Sequence, residues 1–397
     1  MKRILIIGMA DSIHLARWIE QFSETGDQIH FFPSAKFRNY TRELEVLNKN
    51  MEGLRIHAVF RSRFFPGYLD YAILELFMKL FRINLRKIWL RRLLFRLDFS
   101  LVHAIEIQHA GYLLAEATIR PTKKFKILIT NWGSDLFFFS KSKAHTKRIE
   151  HLLTMADFYS AECNRDYLLA RELGFQGAFL PLIPNAGGFD IAESAFVPAS
   201  ERRLILVKSN GGTFGNIKEI LPILIDVLLD FPEYSIHFYS VTPDIEIEIE
   251  PIMQMFAGRV TFSTSSKRLG HTEILSMFRN SRIYLSSSKS DGISTSFLEA
   301  LVSGAYPIQS NTSCANEWLN LGFIGSVVSN NVLVYKNSLI KALLSDELVD
   351  SAQKTNLELA NKHLDQKLIS SIAKKFYNLE YLDSLQSDRE GKNRYPL

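Results

Sequence analysis

The chain has 397 residues, a length that suggests two domains at roughly 100–200 residues each. With 47% hydrophobic, 22% charged and 12% aromatic residues, the composition excludes a disordered chain, a collagen-like repeat and a coiled-coil rod. Two cysteines, Cys163 and Cys314, cannot build a disulfide scaffold or a four-thiolate zinc site. The net charge of +5 is uneven: residues 1–200 hold 27 Lys+Arg against 20 Asp+Glu, and residues 201–397 hold 20 against 22. A basic front half is compatible with nucleic acid, an anionic membrane surface or a phosphorylated substrate.

Arg3 to Ile7 is a short apolar run of the kind found in a strand buried on both faces, and Gly8 ends it. Asp11 and Ser12 are N-cap candidates for a helix carrying Leu15, Ala16, Ile19 and Phe22. Gly26 closes that helix, and Gln28 to Phe32 reads as a second strand. This βαβ opening predicts a parallel sheet covered by helices. Further strands are expected at 55–60, 101–104, 125–130 and 158–160. Pro181, Pro184, Gly187, Gly188 and Pro198 then cluster at a domain boundary. A second alternating set follows, with strands at 204–207, 235–239, 260–262, 283–286 and 306–309 and helices at 217–229, 272–279 and 295–301. Residues 338–382 read as largely helical, and the polar tail from Ser384 is expected to fray.

The reading is α/β, with two facing Rossmann-like doubly wound domains: residues 1–183, a linker at 184–200, a second domain at 201–370, and a C-terminal helix at 371–397 packing back on the first domain. Ligands in such sheets bind at the carboxyl ends of strands, which points to a cleft between the two domains. The apolar start is one strand long and has no cleavage site after it, and no stretch of about 18–20 residues is free of charge. A cytoplasmic protein without a membrane span is therefore expected.

The first turn, Gly8 to His14, lacks the second and third glycines of a dinucleotide-binding loop. There is no Asp-x-Asp, H-E-x-x-H, P-loop or G-x-S-x-G pattern, and no zinc-finger or RNA-binding signature. Neither a metal nor a nucleic-acid partner is expected. The most informative stretch follows the strand at 283–286. Asp291 sits in a Gly-containing loop and Glu299 lies in the first turns of the next helix. A helix start offers free N–H donors to phosphate, and a carboxylate beside it can bind vicinal hydroxyls. Ser296 and Glu299 also fit a simple capping box, so both readings stand.

Residues 76–97 interleave Lys79, Arg82, Arg86, Lys87, Arg91, Arg92 and Arg96 with Leu, Phe, Ile and Trp89, with no acid between Glu75 and Asp98. On a continuous helix Lys79, Arg82 and Arg86 share one face and the later basic residues scatter. A membrane-surface segment and one or two covering helices with snorkelling arginines both fit.

The stretch from Ser290 to Gln309, SDGISTSFLEALVSGAYPIQ, resembles the nucleotide-sugar site of family 4 glycosyltransferases, which have the GT-B architecture. Asp291 stands where that family usually has its first Glu, Glu299 at the second, followed by Ala300-Leu301 and Ser303-Gly304. The resemblance implies that Asp291 lies near the donor sugar, that Glu299 binds the ribose, and that Gly292, Ile293, Ser294 and Thr295 line the donor. The opening strand, loop and helix resemble bacterial surface-polysaccharide members, as do ITNWGSD around Trp132 and LIPNAGGF at 182–189. The family's diphosphate-binding Arg and Lys are matched by Lys208 and Lys218, and the intervening Gly211-Gly212 turn could present amides to the diphosphate. The reaction itself is thereby assigned to Asp291, Lys208 and His14, donor contact to Trp132, and acceptor binding to Glu106 and His109.

The implied activity is retaining, metal-independent transfer of a sugar from a nucleoside-diphosphate-sugar co-substrate to a lipid-linked or glycan acceptor, with no other cofactor, at or near the cytoplasmic membrane face. The alternatives are a nucleotide-sugar epimerase on the same fold and a non-catalytic subunit of a glycan-assembly complex.

Overall fold

The computed structural model describes residues 2–35, 40–57, 76, 78–81, 84–118, 124–191, 197–267 and 269–391. The chain divides into two compact units, residues 1–187 together with 369–397, and residues 188–368.

In the first unit β1 (Arg3–Gly8), β2 (Gln28–Pro33), β3 (Leu54–Ile56), β4 (Leu101–Ile105), β5 (Lys126–Thr130), β6 (Phe158–Ser160) and β7 (Ala178–Phe179) form a parallel sheet in the order β3-β2-β1-β4-β5-β6-β7. The strand expected at 55–60 is realised as β3, and positions 58–60 lie outside the described residues. The central strands are buried along almost their whole length, as a sheet covered on both faces requires. Ser12 caps α1 (Ile13–Glu20), its hydroxyl accepting from the Leu15 amide. The other helices of this unit are α2 (Arg42–Asn50), α3 (Leu85–Arg96), α4 (Tyr112–Ala117), α5 (Ser134–Phe137), α6 (Lys143–Met155) and α7 (Asn164–Glu172), with a π-helical turn at Ile107–Gly111.

The basic segment is not one continuous helix. Asn84 caps a new helix at Leu85, which resets the register. Leu90 is buried with Leu93, Leu94 and Leu97 packed beside it, and Arg91, Arg92 and Arg96 all lie on the exposed side.

The first unit is completed by the end of the chain. α15 (Gln366–Lys375) and α16 (Leu379–Gly391) bring Ile369, Ala373, Phe376, Tyr377 and Leu382 into the core cluster that holds Trp18 and Phe22. A buried polar chain fixes the contact. Trp18 Nε1 donates to the Tyr377 hydroxyl at 2.9 Å, which meets His103 Nδ1 at 2.8 Å, and His103 Nε2 meets Thr130 Oγ1 at 2.7 Å. Burial lowers the His103 pKa to about 3, so the ring is neutral. The helix runs through Ser384 to Gly391 where fraying was expected, because Leu385 packs on the core and Lys126 pairs with Asp383.

The second unit repeats the architecture. β8 (Leu204–Lys208), β9 (Ser235–Val241), β10 (Val260–Thr264), β11 (Ser281–Ser286), β12 (Tyr306–Ser310) and β13 (Ser326–Val328) form a parallel sheet in the order β10-β9-β8-β11-β12-β13. Between and after them lie α8 (Leu221–Asp230), α9 (Pro243–Met255), α10 (His271–Asn280), α11 (Thr295–Ser303), α12 (Ala315–Asn320), α13 (Val332–Leu344) and α14 (Asp346–His363). Two buried arginines brace α13 and α14 at the amino ends of the strands. Arg282 donates to the Ala342 and Ala199 carbonyls and to Asp346, and Arg202 donates to the Gly304 and Ser281 carbonyls and to Gln353. These bonds offset most of the cost of burying the two guanidinium groups, leaving Arg202 Nε and Arg282 Nη2 without a hydrogen bond among the described residues.

In both sheets the strand order reverses beside the first strand, between β1 and β4 and between β8 and β11. Such switch points open a crevice at the carboxyl ends of the strands, where ligands of doubly wound sheets bind.

Candidate functional site

In the second unit, the two strands at the switch point carry the residues singled out above. Lys208 is the last residue of β8 and lies in register with Tyr239 on β9 and Ser286 on β11. The chain leaves β11 through a serine-rich loop and enters α11 with Asp291 before it and Glu299 inside it.

The loop is tied down on both sides. Ser288 N donates to Ser310 Oγ at 3.0 Å, Thr312 Oγ1 donates to the Ser288 carbonyl at 2.8 Å, and the Asp291 amide reaches the Thr312 carbonyl. Cys314 N donates to the Gly292 carbonyl at 2.8 Å. Toward β8, Lys289 N donates to the Phe214 carbonyl at 2.7 Å, and Gly215 bridges Ser288. The Asp291 carboxylate accepts from the Gly292 amide at 2.9 Å, which turns the chain toward the helix. The loop is thus held in place before any ligand arrives.

The start of α11 resolves the capping-box alternative. Ser294 is the N-cap and Thr295 begins the helix, so Ser296 is its second residue and Glu299 its fifth. Neither stands where a capping box needs it. Ser294 caps without a side-chain bond to the helix, and its hydroxyl accepts from Lys208 Nζ at 3.4 Å. The Phe297 and Leu298 amides turn back to the Ser294 carbonyl, whereas those of Thr295 and Ser296 meet no acceptor among the described residues. A nine-residue helix thereby presents open amides and the positive end of its dipole to an anion. Gly304, at φ 84, ends the helix in the left-handed region, where a side chain would also strike Gln353.

Electrostatically, Lys208 is the centre of the group. Burial works against its charge, but Tyr284, Asp291 and Glu299 more than offset this and raise its pKa above the ordinary value. Glu299 is only 7% exposed, and Asp291 is half-buried. Tyr239 and Tyr284 are buried next to this cluster and packed against Phe278 of α10. Burial, then Tyr284 and Glu299, push the Tyr239 hydroxyl well above its usual range, so it stays neutral. These two tyrosines were missed in the sequence because they sit inside apolar strands and look like core.

The structure brings together Lys208, Asp291, Gly292, Ile293, Ser294, Thr295 and Glu299. It does not bring Lys218 to them. Lys218 is exposed and paired with Glu248 at 2.8 Å, and that carboxylate raises its pKa. The Gly211-Gly212 turn is occupied too, because Gly211 N donates to Thr242 Oγ1 at 2.9 Å and Gly212 N to Asp244 Oδ2 at 3.3 Å. Those amides face the start of α9.

In the first unit, His14 and Trp132 follow β1 and β5 and meet edge to face, with ring centroids 6.1 Å apart. Glu106 takes a structural part. At φ 76 it precedes the π-helical turn, and its carboxylate accepts from the His109 and Ala110 amides. Burial raises its pKa against those bonds. Asp135 accepts from the Ile107 and Trp132 amides at 2.9 and 2.8 Å, and burial and the Glu106 charge raise its pKa well above normal. The two carboxyls lock the loops after β4 and β5 together, and they leave His109 exposed beside them.

Residues 3–159 match the family described as "Glycosyl transferase 4-like". No protein of curated function matches the chain in sequence. Solved structures extend the likeness across both units. Anabaena HepE in complex with UDP-glucose superposes with a TM-score of 0.69 at 12% identity, covering 95% of this chain and 100% of that one. S. aureus TarM, solved with UDP, gives a TM-score of 0.70 at 10% identity, covering 96% and 100%. Sucrose-phosphate synthase from Thermosynechococcus elongatus gives 0.67 at 13% identity, covering 96% and 100%. At these identities the likeness is one of fold, and the fold is GT-B.

Proposed function

We propose that the protein is a retaining glycosyltransferase. It takes a sugar from a nucleoside-diphosphate donor held by the second unit and passes it to a hydroxyl of a lipid-linked or glycan acceptor in surface-polysaccharide synthesis. The observation that carries this reading is the grouping of Lys208, Asp291 and Glu299 around the open amino end of α11. HepE and TarM, whose folds match, were solved with UDP-glucose and UDP.

The chemistry follows from the charges. Breaking the bond between the anomeric carbon and the diphosphate oxygen leaves positive charge on the sugar and negative charge on the leaving group. Lys208 stays an ammonium and faces the phosphate side together with the Thr295 and Ser296 amides, where the departing charge is greatest. This local positive charge lets the transfer proceed without a metal ion. Asp291 orients the sugar, and the buried Glu299 carboxylate accepts hydrogen bonds from the ribose hydroxyls. In the first unit, His14 is assigned to the reaction at the acceptor, His109 to acceptor binding and Trp132 to the donor sugar. Glu106 acts indirectly, by fixing the turn that carries His109.

A thermal-shift screen against UDP-, GDP-, ADP- and CDP-sugars tests the reading, since a ligand that binds only the folded state must raise the melting temperature. Mass analysis of products with and without a glycolipid acceptor then separates the activities. Transfer to the acceptor supports the proposal. Conversion of the donor alone would identify an epimerase, and binding without turnover would identify a non-catalytic subunit.

A further inference from the structure

The outer face of α3 has a composition that the first unit's fold does not use. Phe95 is 86% exposed, Ile88 49% and Trp89 45%, while Leu90 on the opposite side is fully buried. Positions 88, 92, 95 and 96 follow helical spacing, so Ile88, Arg92, Phe95 and Arg96 share one exposed stripe with Trp89 at its border. Arg91 is committed to the fold, donating to the Ala117 and Glu116 carbonyls and clamping α3 to α4. Arg92 and Arg96 have no acidic partner among the described residues, and α3 contains no acid.

We propose that this face of α3 docks the protein on an anionic lipid surface. Bulky apolar side chains with arginines between them suit a helix lying in the membrane interface, with aromatic and aliphatic groups among the acyl chains and guanidinium groups at the phosphates. A second copy of the chain is a poor occupant, because a face packed on itself would bring Arg92 and Arg96 against their own kind without a compensating acid. A nucleic acid would satisfy the arginines but would offer no apolar medium to Ile88 and Phe95. No described helix is long and apolar enough to cross a membrane, so the contact is one of surface docking. It does not depend on the transfer reaction.

The test is sedimentation of the intact protein with vesicles of pure phosphatidylcholine, and with vesicles in which about a third of the lipid is phosphatidylglycerol. Wild type should sediment with the anionic vesicles and not with the neutral ones, and should be released at about 1 M salt, where charge is screened within about 3 Å. Replacing both arginines (Arg92→Gln with Arg96→Gln) should weaken binding about 30-fold. Phe95→Ser should weaken it about 10-fold, and both variants should melt as wild type does. Three results would overturn the proposal: no sedimentation with anionic vesicles, unchanged binding by both variants, or a wild-type dimer in light scattering that Phe95→Ser converts to monomer.

Discussion

Replacing Glu299 with Gln removes one charge from a side chain that is 7% exposed and changes little else in its shape. If its carboxylate holds two ribose hydroxyls, two charge-assisted hydrogen bonds of about 1.5–3 kcal/mol become neutral ones of about 0.5–1.5 kcal/mol. The difference is about 1–1.5 kcal/mol for each hydroxyl and about 2–3 kcal/mol for the pair, a rise in Kd of roughly 30- to 150-fold. Lys208 keeps Asp291 beside it, so the unliganded fold should survive. Titration calorimetry with the nucleoside diphosphate selected by the thermal screen measures the effect. The same titration with its 2′,3′-dideoxy analogue isolates the hydroxyls. Wild type and Glu299→Gln should bind the dideoxy compound equally, because the groups that distinguish them are absent. A Kd for the full nucleotide within about threefold of wild type, or an equal loss for both ligands, would refute the ribose assignment.

Three further expectations follow from the same coordinates. Lys218→Met should leave donor affinity unchanged, because Lys218 already serves Glu248; a tenfold loss by calorimetry would restore it to the donor site. Tyr377→Phe should lower stability by about 1–3 kcal/mol, since the Trp18 indole N–H and His103 Nδ1 lose their shared hydroxyl in a dry core; an unchanged urea midpoint would contradict this. Stability should fall in mild acid. His103 has a pKa of about 3 when folded and its ordinary value of 6.5 when unfolded, so the unfolded chain takes up the proton first. Its contribution is complete above pH 6.5 and drains away as the pH drops toward 3. His30, lowered to about 4 by burial and by His57, adds to the same slope. Equal urea midpoints at neutral pH and in mild acid would exclude this linkage.

Strands buried on both faces were legible as apolar runs, and β6 appears where the sequence places it, at Phe158–Ser160. Two short strands escaped, β7 with two residues and β13 with three. α9 shows how period can mislead. Its Ile245–Glu250 segment alternates apolar and acidic residues as a strand would. It is nevertheless a helix: Pro243 and Asp244 suit a helix start, and Ile245, Ile249 and Ile252 recur at helical spacing on the buried side. At the site, Asp291 and Glu299 were visible because charge beside a helix start is conspicuous. The diversion of the Ser294 hydroxyl to Lys208 was not, since it joins residues 86 positions apart. Nor was the capture of the glycine turn by Thr242 and Asp244, which depends on how β9 ends.

The return of residues 369–391 to the first unit has a consequence for synthesis on the ribosome. Although its strands emerge first, Trp18 and His103 must wait for Tyr377, which is translated only after the whole second unit. The later-made unit, whose segment is continuous, can therefore mature first, reversing the usual order in which nascent domains are completed.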